Sequence, residues 1–139
     1  MAISLDIPIL GEANGSYSVK RVQAGAAVTY CQPVYMASDL KYYPAINTAI
    51  PTANVAGLAV TQAAADEDYF LMWIAGELAI NDGTGTSMTI GTSYCLGGAS
   101  GEIEAYSAVG AAEYVTYLGL AVTVRVLDVK INPTGVVHG

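Results

Sequence analysis

Charge is what this sequence has least of. Asp, Glu, Lys and Arg make up 12% of its 139 residues, and only five of those side chains are basic. Soluble domains ordinarily carry about a quarter charged residues. The chain is also 53% hydrophobic, so so thinly charged a surface implies that part of it faces copies of itself or a larger partner. The shortage of basic residues excludes a second class. Lys20, Arg21, Lys41, Arg125 and Lys130 are scattered, and the net charge is −7. No basic patch is offered to the phosphates of a nucleic acid.

Other absences narrow the reading further. No stretch provides about 18 uninterrupted apolar residues, so no transmembrane helix is expected. The opening Met1–Ile7 lacks the basic start and long apolar core of a signal peptide. Histidine occurs once, at His138, and cysteine twice, at Cys31 and Cys95, without a CxxC pair. That argues against a zinc site and a disulfide framework, and points to two small buried side chains in a protein made in a reducing cytosol. A single disulfide between them stays open. There is no GxSxG and no phosphate-binding GxxxxGK[ST] sequence. A penultimate histidine is badly placed to activate a nucleophile. No enzyme and no cofactor are expected. Catalysis would require carboxylates of separate loops, such as Asp68, Asp82 and Glu104, to meet in one cleft.

What the sequence does contain is strand chemistry. Short runs rich in Val, Ile, Thr and Tyr alternate with Gly, Pro, Asn and Asp clusters. Strands are expected near residues 17–23, 27–30, 33–37, 40–44, 55–62, 69–74, 77–80, 87–90, 93–96, 103–106, 114–123 and 124–131. The Ala-rich stretches 45–49 and 108–112 each suit a single helical turn. One pentapeptide recurs: Gly57-Leu58-Ala59-Val60-Thr61 returns as Gly119-Leu120-Ala121-Val122-Thr123. Gly25, Val28 and Thr29 similarly match Gly85, Met88 and Thr89. The order strand, turn, strand, turn, strand, Ala-rich link, Gly-Leu-Ala-Val-Thr is common to both halves. The expected fold is therefore all-β, a compact barrel or sandwich made from two echoing halves, about 24–62 and 84–123, within a body spanning 17–131. Residues 1–16 read as an arm and 132–139 as a tail. Ile3, Leu5, Ile7 and Ile9 alternate, so an extended arm would present them on one face to a neighbouring subunit or other partner.

The remaining candidates have plain alternatives. Asp66-Glu67-Asp68 and the loop 81–86 carry acids but no metal-site spacing, so a solvated loop and a hairpin turn are the expectation. Glu102 and Glu104 share a strand face. Ten tyrosines, with Tyr42 and Tyr43 adjacent, suit either a protein interface or a sugar platform. Tyr106 is the third ring for a platform.

The chain resembles the small decoration, or cement, proteins of tailed-bacteriophage capsids. The likeness rests on residues 24–28 followed by Gln32-Pro33-Val34-Tyr35 and Asp39-Leu40-Lys41-Tyr42-Tyr43, then Val55-Ala56-Gly57-Leu58-Ala59-Val60. It continues in 89–96 with their Gly-rich turn, in 115–122, and in Ile131-Asn132-Pro133-Thr134-Gly135. The resemblance spans roughly residues 20–137. It implies a β-rich homotrimer on the outside of the virion, bound to the major capsid protein and stabilising the expanded shell, with no nucleic-acid or membrane partner. The bulky run Tyr-Phe-Leu-Met-Trp-Ile at 69–74 departs from the Val- and Thr-rich strands usual in such chains. The alternative expectation is a carbohydrate- or receptor-binding β module on a virion surface or fibre.

Overall fold

The computed structural model describes residues 18–80 and 88–139, with the backbone alone of Ser4, Leu5 and Asn81. The fold is all-β, an antiparallel sheet that curls into a half-barrel. In chain order the strands are β1 (Ser4–Leu5), β2 (Ser18–Gln23), β3 (Pro33–Met36), β4 (Tyr42–Pro44), β5 (Val55–Ala59), β6 (Tyr69–Asn81), β7 (Ser93–Leu96), β8 (Ile103–Ala105), β9 (Tyr114–Ala121) and β10 (Val126–Val137). A four-residue helix, α1 (Ile50–Ala53), and a 3-10 turn, Tyr106–Ala108, mark the two Ala-rich links. The first directly follows the stretch 45–49 expected to be helical, and the second overlaps the stretch 108–112 only at Ala108.

The sheet order β4-β3-β5-β6-β10-β9-β7-β8 is a palindrome of the two halves. Register makes the duplication explicit. Pro33 faces Leu58 and Val34 faces Gly57, then a bulge brings Tyr35 opposite Val55. In the second half Ser93 faces Leu120 and Tyr94 faces Gly119, then a bulge at the same place brings Cys95 opposite Tyr117. The hairpins agree as well, with Val34 across from Pro44 and Tyr94 across from Ala105. Even the entering turns match. Cys31 and Gly91 both take positive φ, 65° and 81°, and their N–H groups donate to Ala59 O and Ala121 O.

β6 belongs to both units. Its first half pairs with β2 and β5 and closes unit 1; its second half pairs with β10 and opens unit 2. Two strands were expected here, split near residue 75. The chain instead runs on through Gly76, whose φ of 106° only glycine takes without strain. The side-chain alternation changes phase there: Trp73 lies in the main core before the glycine, Leu78 and Ile80 after it.

That phase change sets how the units stack. Val34, Ala59 and Met72 of unit 1 lie in a smaller cluster with Val22, Val28 and Phe70. Their counterparts by register, Tyr94, Ala121 and Leu127, lie in the main core. Conversely Leu58 and Val60 are in the main core, while their counterparts Leu120 and Val122 are exposed. The two units therefore contribute opposite faces to the shared core. Both faces of unit 1 are covered, which explains the unbroken apolar run at 69–74: Phe70 and Met72 fill the small cluster and Trp73 the main one. Trp73 is wholly buried, and its indole N–H donates to Gly76 O at 3.1 Å. A third cluster, Cys95, Val109 and Val115, partly covers the outer face of unit 2.

Three segments differ from expectation. Residues 27–30 and 88–90 form no strand; Val28 makes only an isolated bridge to Ala63. The segment 132–137, read as the start of a tail, continues β10 and pairs Asn132 with Tyr117 and Val137 with Tyr114. Register shifts between Val129 and Asn132 and between Pro133 and Val137 carry the strand through; Pro133 keeps its place across from Thr116 and Gly135 falls within the second shift, although local composition marks both as breaks.

Candidate interaction surfaces

The tip of the β3–β4 hairpin is a rigid, partly apolar projection. Ala37 and Lys41 close it by an N–H···O bond of 2.9 Å, leaving a three-residue loop. Such loops place a left-handed residue last, ordinarily glycine. Here that residue is Leu40, with φ 67° and 71% exposure. Asp39 braces the tip. Its Oδ1 accepts from Lys41 N–H at 3.0 Å and its Oδ2 from the Tyr43 hydroxyl at 2.6 Å. The Tyr43 hydrogen bond, with the Lys41 N–H second, holds the Asp39 carboxyl below its ordinary range, and the same bond raises the phenol. Lys41 Nζ reaches Asp66 at 2.9 Å and Glu67 at 3.6 Å. Asp68 accepts from Ala64 N–H and Ala65 N–H, both at 3.1 Å. The acidic run 66–68 thus ties a loop to this hairpin.

On the outer face of unit 2, Glu104 on β8, Cys95 on β7 and Tyr117 on β9 stand in one row across the strands. Tyr117 stacks on Tyr106 at 5.7 Å between ring centroids, and His138 meets Tyr106 edge-on at 5.1 Å. These rings line a groove of about 310 Å³ with Val115, Thr134 and Val136. Burial, then Glu102 and Glu113, push the Glu104 carboxyl up. Its Oε1 is buried without a hydrogen-bond partner among the described residues, as is His138 Nδ1. Cys31 and Cys95 are free and buried, and burial pushes both thiols up to about 12.

The expected interface residues separate. Tyr42 sits in the smaller core cluster, 8% exposed, across from Met36. Tyr43, its neighbour on β4, points the other way, half-buried, and stacks on Tyr35 at 6.0 Å. The two rings share no face, and Tyr106 lies in the other unit. Of the arm, Leu5 is described only by its backbone, which pairs with Ile80 of the same chain. Ile3, Ile7, Ile9 and Asp82 lie outside the described residues. Among the described residues no group of three His, Cys, Asp or Glu side chains is placed to hold a metal ion, and no helix is long and apolar enough to cross a membrane.

Sequence reading places a turn at Ser38-Asp39 but missed its Asp39–Tyr43 brace, and it missed the Tyr106–Tyr117–His138 cluster. The first had a signal, Ser38-Asp39-Leu40 between strand runs, because Asp favours such turns. The second unites residues distant in sequence, and no local pattern announces it. No protein-family profile matches the chain, and no curated protein sequence matches it.

Proposed function

We propose that this chain is a structural virion protein that binds the outside of a bacteriophage capsid as a homo-oligomer, a trimer by resemblance, and reinforces the expanded shell. The observation that carries the reading is the pairing of an internally braced body with a sparsely charged, partly apolar surface. Several of the described acids brace the protein: Asp39 and Asp68 fix turns, and Asp66 and Glu67 hold Lys41. Large apolar side chains such as Met36, Leu40, Ile90 and Val136 are instead turned outward. An internally braced body with apolar contact points suits lattice binding. The capsid resemblance of residues 20–137 supplies the identity of the lattice.

Mechanistically the role needs only linkage. A protein that binds the expanded shell and not its precursor stabilises the expanded form by the free energy of that binding. Many symmetric copies make individually weak contacts sufficient. Purified virions should contain the protein at high copy number, in fixed ratio to the major capsid protein. Its absence from such particles contradicts the reading. The glycan-binding alternative loses its Tyr42–Tyr43 platform, because those rings lie on opposite faces; what favours it is the stacked Tyr106–Tyr117 pair. Binding on a glycan array, abolished by Tyr106→Ala, would support it.

A further inference from the structure

The two units are copies of one strand pattern, so each position in unit 1 shows how its counterpart in unit 2 is meant to be covered. Leu58 and Val60 are completely buried. Their counterparts Leu120 and Val122 are 42% and 37% exposed. They are not isolated. Gly91 N–H donates to Ala121 O at 2.8 Å and Met88 N–H to Val124 O at 2.9 Å, so residues 88–91 run alongside 121–124. That brings Ile90, 62% exposed, and Val124, 44% exposed, to the same border of the sheet. In unit 1 the positions of Ile90 and Val124 are held by Tyr30 and Gln62, which are exposed as well, so the part covered there by the shared core is Leu58 and Val60.

We infer that the strip formed by Ile90, Leu120, Val122 and Val124 is the self-association surface of this protein, covered by a second copy of the chain. Two arguments select that occupant. The first is internal. Leu58 and Val60, the unit-1 counterparts of Leu120 and Val122, are covered by a β unit of this same chain, so the centre of the strip has a relief that suits such a partner. The second is charge complementarity. Copies of a chain carrying net charge −7 repel one another over most of their surfaces. The strip is uncharged, and among the described residues the charges at its margin are two of each sign: Asp128 directly across from Leu120 with Glu77 across from Asp128, and Arg125 and Lys130 on the same segment of chain as Asp128. The acidic run Asp66–Asp68 lies instead beside the β3–β4 hairpin. Apolar side chains of neighbouring copies can therefore meet about the symmetry axis where repulsion is least.

This assignment deepens the proposed function and rests on the self-association in it, but it is tested apart from the shell. Sedimentation at micromolar concentration should show the wild-type chain well above 14.3 kDa. Leu120→Lys with Val122→Lys should shift it to monomer, with an unchanged far-ultraviolet spectrum. The milder Ile90→Ser, at an exposed turn, should weaken association at least tenfold and guards against misfolding of the double variant. Leu40→Ser, at the remote hairpin tip, should leave association intact. A monomeric wild-type chain, or variants that assemble as wild type does, overturns the assignment. Variants that stay associated but no longer bind expanded shells also overturn it, since the strip would then be the shell contact. A wild-type chain that associates through the strip but ignores expanded shells leaves the assignment standing and removes the shell-binding reading alone.

Discussion

Gly57 and Gly119 stand 62 residues apart and meet the same obstacle. A Cβ on Gly57 would lie 2.7 Å from the carbonyl oxygen of Trp73; a Cβ on Gly119 would press on the carbonyl oxygen of Asp128. Trp73 and Asp128 are themselves counterparts, each across from the leucine that follows its glycine. The glycine that begins each Gly-Leu-Ala-Val-Thr segment thus lets a neighbouring strand approach, and the repetition of the sequence is a repetition of that packing.

Gly119→Ala should therefore be among the most damaging small substitutions. The obstacle is backbone, which cannot rotate aside. A loss of about 2–3 kcal/mol, the range of core overpacking, is expected. Gly135→Ala is the comparison at a second glycine: it has open space around the added methyl but a φ of 68°, so only the backbone strain of about 1 kcal/mol applies. Urea denaturation of both variants checks the order.

Leu40→Gly should stabilise the chain. The left-handed conformation costs a non-glycine residue about 1–2 kcal/mol, and glycine returns about 0.5–1 kcal/mol of that through its freer unfolded chain. A net gain of up to about 1 kcal/mol is expected from those two effects, read as a higher urea midpoint with an unchanged slope. A destabilised variant would show that the exposed leucine side chain packs on something within the protomer.

Glu104→Gln should raise stability at neutral pH and lose its advantage in acid. Burial, Glu102 and Glu113 raise the folded carboxyl above its unfolded value. The folded chain then binds the proton more readily, so this group's contribution is fully present below the ordinary glutamate range and is lost as pH rises through the raised value. Asp39 has the opposite sign. Its depressed carboxyl contributes above the ordinary aspartate range and fails as pH falls through the depressed value. Thermal melts of the wild type, Glu104→Gln and Asp39→Asn across pH 3–8 should separate the two.

Neither thiol should react in the native state. With both pushed up to about 12 by burial, the nucleophilic thiolate is scarce at pH 8. Iodoacetamide followed by mass measurement should find no modified cysteine until denaturant is added, and then two.

The fold was legible where local chemistry and tertiary packing agree. The strand at 93–96 is bounded by turn residues and lies where expected, and the paired pentapeptides reported the duplication. The stacking of the units was not legible, because it depends on one backbone angle at Gly76 that inverts the alternation of β6. Tyr42 and Tyr43 show the same limit at the scale of two residues. Their adjacency puts them on opposite faces, but which face is core depends on strands far away in sequence. The outer strip is visible only by comparison: Leu58 and Leu120 occupy the same pentapeptide, and only the three-dimensional arrangement buries one and exposes the other.

The most direct measurement of the proposed shell-binding role uses expanded bacteriophage capsids that lack this protein. Purified chain is added, unbound protein is removed, and the particles are heated while DNA release is followed. The account predicts retention at symmetric sites on the shell exterior and a higher rupture temperature that rises with occupancy. Particles that retain no protein, or that rupture at the same temperature with their sites filled, contradict it.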